Sequence, residues 1–162
     1  MDSETITIAH ADLTAAGSRA LIDALNAELR DLYPEPGANH FRLEPGEVAD
    51  RRGAFLVAHR GDTPVGCGAV RLLDGETAEL KRMYVAPSAR GSGLGRRLVD
   101  ALEAEARGLG ARRLVLETGV RQEPALALYR SAGFGPVPLY GEYVLSPETS
   151  VCLGKDLVTE GP

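Results

Sequence analysis

The arginine and glycines of residues 90–95 are the residues whose types and spacing most directly indicate chemistry. Arg90, Gly91, Gly93 and Gly95 follow a strand-like run, ELKRMYV, and open a helical pattern. Glycines let a backbone turn with positive φ and approach a ligand closely. The first N–H groups of a helix have no partners within it and lie at its positive end, which favours a phosphate. The segment therefore predicts a site for a phosphorylated cofactor, with Arg90 as a fixed positive charge.

Two better-known phosphate motifs do not fit this segment. A dinucleotide fingerprint counted from Gly91 and Gly93 would need a small residue where the chain has Arg96, and no P-loop run is present. A Rossmann domain also alternates strands with helices, whereas three consecutive strands are predicted before this loop. We therefore reject a nucleotide-binding module of the Rossmann type.

The pattern that fits is R-x-x-G-x-G, followed further along the chain by ALALYRSAGF at residues 125–134. Together these motifs resemble the GNAT superfamily of acetyl-CoA-dependent N-acetyltransferases, over residues 54–156. The resemblance implies an α/β (α+β) GNAT fold, with a mixed central sheet of about seven strands covered by about four helices. It also implies that two parallel strands, Leu80–Val85 and Arg113–Glu117, splay apart to admit the cofactor.

The hydrophobic periodicity gives an element order that agrees with this fold, β-α-β-β-β-α-β-α-β-β. The strands are expected at Thr5–Ala9, Phe55–His59, Val65–Leu73, Thr77–Val85, Arg113–Glu117, near Val137 and at Ser150–Leu153. The helices are expected over residues 21–32, 94–109 and 123–132, with a short one near Glu47.

The resemblance implies acetyl-CoA as cosubstrate and assigns residues to hold it. Strand backbone would pair with the pantetheine arm, the glycine loop would cradle the pyrophosphate, and two later side chains would complete the site. The implied set is Met83, Tyr84, Val85, Arg90, Gly91, Ser92, Gly93, Leu94, Gly95, Arg96, Gln122 and Tyr129. Gln122 stands where the family usually has asparagine.

A general base is expected because an alkylamine with a pKa of about 10.4 is only about 0.04% neutral at pH 7, a handicap of about 4.6 kcal/mol. By its place in AELKRMYV, Glu79 is the first candidate for the catalytic base. Glu117 and a water relay are the alternatives. Glu79 could instead be a surface residue paired with Lys81 or Arg82.

Two further catalytic roles follow from the resemblance. Tyr129 occupies the position of the acid that protonates the departing thiolate, and a phenol with a pKa of about 10 is protonated at neutral pH. A backbone N–H near Met83 would stabilise the negative charge that develops on the thioester oxygen.

The acceptor groove should form from the first helix, the loop after it and the last strands, with Tyr33, His40, Glu117 and Tyr143 as substrate-binding residues. Residues 1–50 carry ten Asp and Glu against three Arg, and residues 81–130 carry ten Lys and Arg against five Asp and Glu. An acidic N-terminal part would suit a cationic amine. Whether the acceptor is a small molecule or a protein amine stays open.

Composition bounds the other partners. The 162 residues predict a single domain, 1–162, with a net charge of −5 and a pI of about 5.2, which argues against nucleic acid. No membrane span or basic leader is visible, and Cys67 and Cys152 are too few and too far apart for a disulfide framework or zinc site. We expect a cytoplasmic protein without a bound metal; residues 139–143 could pack within the protomer or across a homodimer.

The leading interpretation is an acyltransferase that moves an acetyl group from acetyl-CoA to a primary amine by direct attack in a ternary complex. The alternative is a GNAT-fold sensor or regulator that binds CoA or acyl-CoA without catalysis. Both Glu79 and Tyr129 are present, which favours the enzyme.

Overall fold

The computed structural model describes residues 5–157, so the outermost residues of the predicted domain 1–162 lie outside the described part. The strands are β1 (Ile6–His10), β2 (Gly53–Arg60), β3 (Thr63–Leu72), β4 (Thr77–Val85), β5 (Arg113–Gly119), β6 (Gly135–Pro136) and β7 (Ser150–Asp156). The α-helices are α1 (Ala16–Leu32), α2 (Leu94–Gly108) and α3 (Glu123–Ser131). Short 3-10 turns occupy Pro45–Val48, Pro87–Ala89 and Gly141–Leu145.

The strands form one seven-stranded sheet in the order β1-β2-β3-β4-β5-β7-β6. All neighbours are antiparallel except β4 and β5, so the mixed sheet expected from the sequence is confirmed. The expectation of about four helices was too high, because residues 5–157 contain three α-helices. The short helix expected near Glu47 is a 3-10 turn, closed by a reciprocal capping box between Glu44 and Glu47 and ended by extended backbone at Ala49.

Both faces of the sheet are buried beneath helices. On α2, Leu94, Leu98, Leu102 and Ala106 recur at helical spacing and are almost fully buried. Leu21 and Leu25 of α1 belong to a separate apolar cluster that contains Phe55 and Val57 of β2. Cys67 and Cys152 are buried free thiols.

The parallel pair β4–β5 is joined along only part of its length. Thr77–Leu80 pair with Arg113–Leu116, but β4 continues to Val85 and β5 to Gly119 without further paired residues between them. The implied splay is therefore confirmed, and it begins just after Leu80.

A bulge in β4 lies immediately beyond this point. The register with β3 shifts between Cys67 and Ala69, and Arg82 has φ of +56° although it is not glycine. Gly68 faces the bulge, where a Cβ would lie 2.6 Å from Leu102 Cδ1 and 2.7 Å from Met83 Sδ. A bulge twists a strand and interrupts the alternation of its side chains, which changes what β4 presents to the wedge.

Candidate active site

The wedge between β4 and β5 opens into a cavity of about 490 Å³, which we call the cofactor cavity. The end of β4, the glycine loop, the start of α2 and one side of α3 surround it. Its lining residues include Leu25, Glu28, Leu32, Met83, Tyr84, Val85, Ala89, Arg90, Gly91, Gly93, Leu94, Gly95, Arg121, Gln122, Pro124, Ala125, Leu128 and Tyr129.

The glycine loop has the geometry of an anion cradle. Gly91 and Gly93 have φ of +81° and +84°, and an added Cβ on either would meet nothing within 4 Å. Gly93 caps α2 without a side-chain hydrogen bond, so the first N–H groups of the helix face this space uncapped. Arg90 donates to the Val85 carbonyl and to Glu28, each at 2.9 Å. The loop therefore fits the phosphate end of a CoA thioester.

The predicted cofactor-binding residues line the cofactor cavity, apart from two. Ser92 donates to the Ala89 carbonyl, and Arg96 donates to Asp100 and to the Ser131 carbonyl. The structure adds Arg121 and Pro124, which lie between β5 and the ALALYRSAGF motif, and Leu128, which lies within that motif.

A second cavity of about 110 Å³, the acceptor cavity, adjoins the first. Met83, Gln122 and Tyr129 line both cavities, so the two meet at these side chains. All four predicted substrate-binding residues, Tyr33, His40, Glu117 and Tyr143, line the acceptor cavity. Other lining residues are Asn39, Lys81, Arg82, Thr118 and Thr149.

Glu117 is the carboxylate that faces the acceptor cavity. It lies on β5 one residue beyond the last pair with β4, and it is half-buried. Burial raises the pKa of Glu117 and the charge of Glu79 adds to this, whereas Ser150, His40 and Lys81 act in the opposite direction. A carboxylate with a raised pKa is a better proton acceptor near neutral pH.

Glu79 is fully buried and occupied by other partners. Its Oε1 accepts from Arg71 Nε at 2.8 Å, and its Oε2 accepts from the hydroxyls of Tyr140 at 2.6 Å and Tyr143 at 2.9 Å. The expected pairing with Lys81 or Arg82 was wrong, because Arg71 lies directly opposite Glu79 on β3. Glu79 is not among the residues described around the acceptor cavity, whereas Glu117 is.

Tyr129 occupies the junction of the two cavities. Its ring is buried and packs edge-on against Phe134, with centroids 5.8 Å apart. Burial raises the pKa of the Tyr129 phenol, and the charge of Glu117 adds to the effect. The phenol is therefore protonated at neutral pH and can donate a proton.

Tyr33 fixes the end of β5 beside the acceptor cavity. Its hydroxyl accepts from the Arg121 backbone N–H at 2.8 Å, and its ring lies 5.0 Å from Arg121 Cζ. A Cβ at Gly119 would lie 1.8 Å from the Tyr33 hydroxyl, so glycine is needed there. The sequence located Tyr33 in the groove but gave no signal for this contact, which joins residues far apart in the chain.

Comparison with known proteins agrees with this geometry. Residues 19–134 match the model of the Acetyltransferase (GNAT) family. The chain belongs to the GNAT family. This GNAT protein is an acyltransferase, in agreement with relatives that are named acetyltransferases.

Three relatives illustrate the range of similarity. An IAA acetyltransferase from Azospirillum brasilense is 46% identical over 130 residues, which cover 78% of this chain and 84% of that protein. A Klebsiella pneumoniae structure assigned to the acyl-CoA N-acyltransferases is 34% identical with a TM-score of 0.80, covering 95% of this chain and 99% of its own. A GNAT acetyltransferase from Elizabethkingia anophelis, solved with acetyl-CoA bound, shares the fold at 20% identity, with a TM-score of 0.68 and coverage of 97% and 100%.

The helices and acidic, histidine and cysteine side chains of residues 5–157 bear on other kinds of site. Within that range, no helix is long and apolar enough to cross a membrane. The same residues contain no cluster of three or more His, Cys, Asp or Glu side chains arranged to hold a metal ion.

Proposed function

We propose that this GNAT protein transfers an acetyl group from acetyl-CoA to a primary amine by direct attack in a ternary complex. The observation that carries the proposal is the meeting of two cavities at Met83, Gln122 and Tyr129. One cavity has the glycine loop, and the other has Glu117. Two adjoining cavities suit two substrates held together, with no covalent acyl-enzyme between them.

Acetyl-CoA, when bound, supplies the acetyl group as a thioester. The backbone of Met83 and Val85 is available to it by strand addition, because β4 has no paired partner on the β5 side beyond Leu80. The loop of Arg90, Gly91 and Gly93 would hold the phosphates through backbone N–H groups and one guanidinium.

Two side chains of this protein would carry out the two proton transfers of the reaction. Glu117 accepts a proton at its carboxylate from the attacking amine nitrogen. Tyr129 donates a proton from its phenol oxygen to the sulfur as that sulfur leaves. The Met83 backbone N–H would stabilise the negative charge on the carbonyl oxygen. Burial raises the pKa of Glu117, which makes its carboxylate a better base, and burial keeps the Tyr129 phenol protonated at neutral pH.

The test is an acetylation assay over a panel of primary amines, with release of the CoA thiol measured and the acetylated product identified by mass spectrometry. Initial rates at several concentrations of both substrates should give intersecting double-reciprocal lines, the pattern of a ternary complex. Parallel lines, or an acetylated protein formed without amine, would contradict direct attack. Calorimetric binding of acetyl-CoA without thiol release for any amine would favour a sensor instead.

A further inference from the structure

Arg82 is the one buried cationic side chain of the acceptor cavity whose guanidinium nitrogens lack hydrogen-bond partners among the described residues. Its exposed fraction is 7%, and Nε and Nη1 have no hydrogen-bond partner among residues 5–157. Buried polar groups are normally hydrogen-bonded, and a buried charge without a partner is destabilising. A guanidinium in this state, beside an acceptor cavity, is suited to an anion supplied from outside the chain.

The bulge in β4 determines where the Arg82 side chain lies. Lys81 and Arg82 are consecutive and yet both line the acceptor cavity, although consecutive residues of a regular strand point to opposite faces. The backbone of Arg82 has φ of +56°, which is uncommon outside glycine and clusters at functional sites. Phe41 lies against the guanidinium, with its ring centroid 5.1 Å from Arg82 Cζ, and limits where the fork can point.

Lys81 adds a second positive charge to the same wall. It is also 7% exposed, and its Nζ donates to the Arg42 carbonyl at 2.8 Å. Glu117 is the only carboxylate among the described residues that line the cavity. The lining therefore carries two basic side chains against one carboxylate, and burial lowers the pKa of both basic groups.

Two acidic residues of the N-terminal part, and Glu142 from the C-terminal part, are paired with basic side chains. Glu35 is ion-paired with Arg121, Glu28 with Arg90 at 2.9 Å, and Glu142 Oε1 lies 2.7 Å from His40 Nδ1. Arg121 and Arg90 therefore offset two of the ten acidic residues in the N-terminal part. Among the described lining residues, two basic side chains face one carboxylate, and Glu79, whose charge acts on Glu117, is itself paired with Arg71.

We propose that Arg82, supported by Lys81, is the binding site for an anionic group on the acceptor, so that the substrate is a small amine that also bears a carboxylate. The proposal rests on the function proposed above and names the substrate class of that site. The guanidinium would hold the carboxylate through two parallel hydrogen bonds while the amine faces Glu117. The acceptor cavity, with a volume of about 110 Å³, suits a compact amino acid.

The first test compares acceptors on the unmodified protein. Each standard amino acid is paired with its carboxamide, which keeps the amine and side chain but removes the negative charge. Rates of CoA thiol release should give a kcat/KM at least about tenfold higher for the best acid than for its amide, the scale of one bidentate pair. The amide's amine is the weaker base and is more often neutral at pH 7, so this bias works against the expected result.

The second test uses Arg82→Gln, with Arg30→Gln as the matched control. Arg30 Cζ also lies 5.1 Å from the Phe41 ring centroid, but Arg30 is exposed and is not among the cavity-lining residues. Arg82→Gln should lower the ratio of kcat/KM for the acid to kcat/KM for the amide to about one, whereas Arg30→Gln should keep the ratio of the parent. Arg82→Lys retains the positive charge but lacks the forked guanidinium, so it should retain only part of the preference for the acid.

A binding measurement separates this proposal from the proposed function. Each standard amino acid is titrated calorimetrically into protein saturated with CoA, where no acetyl group is available for turnover, and the one that binds most tightly is compared across the variants. Binding to the parent and to Arg30→Gln, with at least about tenfold weaker binding to Arg82→Gln, supports the subsite even if no amine is acetylated. Amides that react as well as acids would overturn the subsite and leave the acetyltransferase intact. Should Arg82→Gln fail to fold, the acid–amide comparison on the parent still decides.

Discussion

Replacing Glu117 with glutamine should separate its role as a base from its effect on folding. The amide has nearly the same size but neither accepts a proton nor titrates. An alkylamine loses about 4.6 kcal/mol at pH 7 by being protonated, which sets a ceiling of about 2 × 10³-fold for what a base can recover. General bases typically contribute at least about 10²-fold. We therefore expect kcat for Glu117→Gln to fall between these limits.

The same substitution should stabilise the fold, because burial penalises the ionised carboxylate. The folded pKa of Glu117 is raised above its ordinary 4.5. Its favourable contribution is therefore complete below about pH 4.5, the unfolded value, and is lost as pH rises through the folded pKa. The Tm of Glu117→Gln minus that of the parent should thus increase with pH across this window and then level off.

Both parts are measurable on the same two proteins. Thiol-release assays give kcat and kcat/KM across pH. The decrease in rate at low pH that protonation of Glu117 causes in the parent should be absent from the variant. Calorimetric unfolding scans give the Tm difference. An unchanged kcat would remove Glu117 from the mechanism. A Tm difference that is constant with pH, or that declines as pH rises, would refute the electrostatic account of its environment.

Three further perturbations address the other parts of the site. Glu79→Gln should lower the free energy of unfolding by about 3 kcal/mol, because Arg71 loses a buried partner. Denaturant titration measures this change, and unaltered stability would mean that the Arg71–Glu79 pair contributes nothing. Tyr129→Phe should keep its Tm while kcat drops about 10²-fold or more, and equal kcat values would assign the ring to packing alone. Gly93→Ala and Gly110→Ala should each cost about 1–2 kcal/mol, since both glycines have positive φ with open space at Cβ. Only Gly93→Ala should weaken calorimetric acetyl-CoA binding, and equal losses in both would reduce the effect to helix strain.

The cofactor half of the site was predictable because phosphate recognition depends on residues that lie close together in the sequence. Gly93 has a positive φ at the start of a helix, and a backbone cradle needs no partner from a distant part of the chain. The acceptor half depends on the pairing of strands. Glu79 meets Arg71 only through the β3–β4 register, and Arg82 enters the cavity only because a bulge faces Gly68. Neither the register nor the bulge leaves a signal at fixed spacing in a single sequence.

Along β4, the residues change from structural to functional at the point where pairing with β5 ends. Before Leu80 the strand has partners on both edges, and Glu79 is committed to Arg71 and two tyrosine hydroxyls. After Leu80 the β5 edge is unpaired, and Arg82 lies in the acceptor cavity with two guanidinium nitrogens unmatched within residues 5–157. The splay therefore creates the wedge and also removes the neighbours that would otherwise occupy these groups. A substitution that extended the β4–β5 pairing past Leu80 should close both cavities together, because one loss of pairing opens them both.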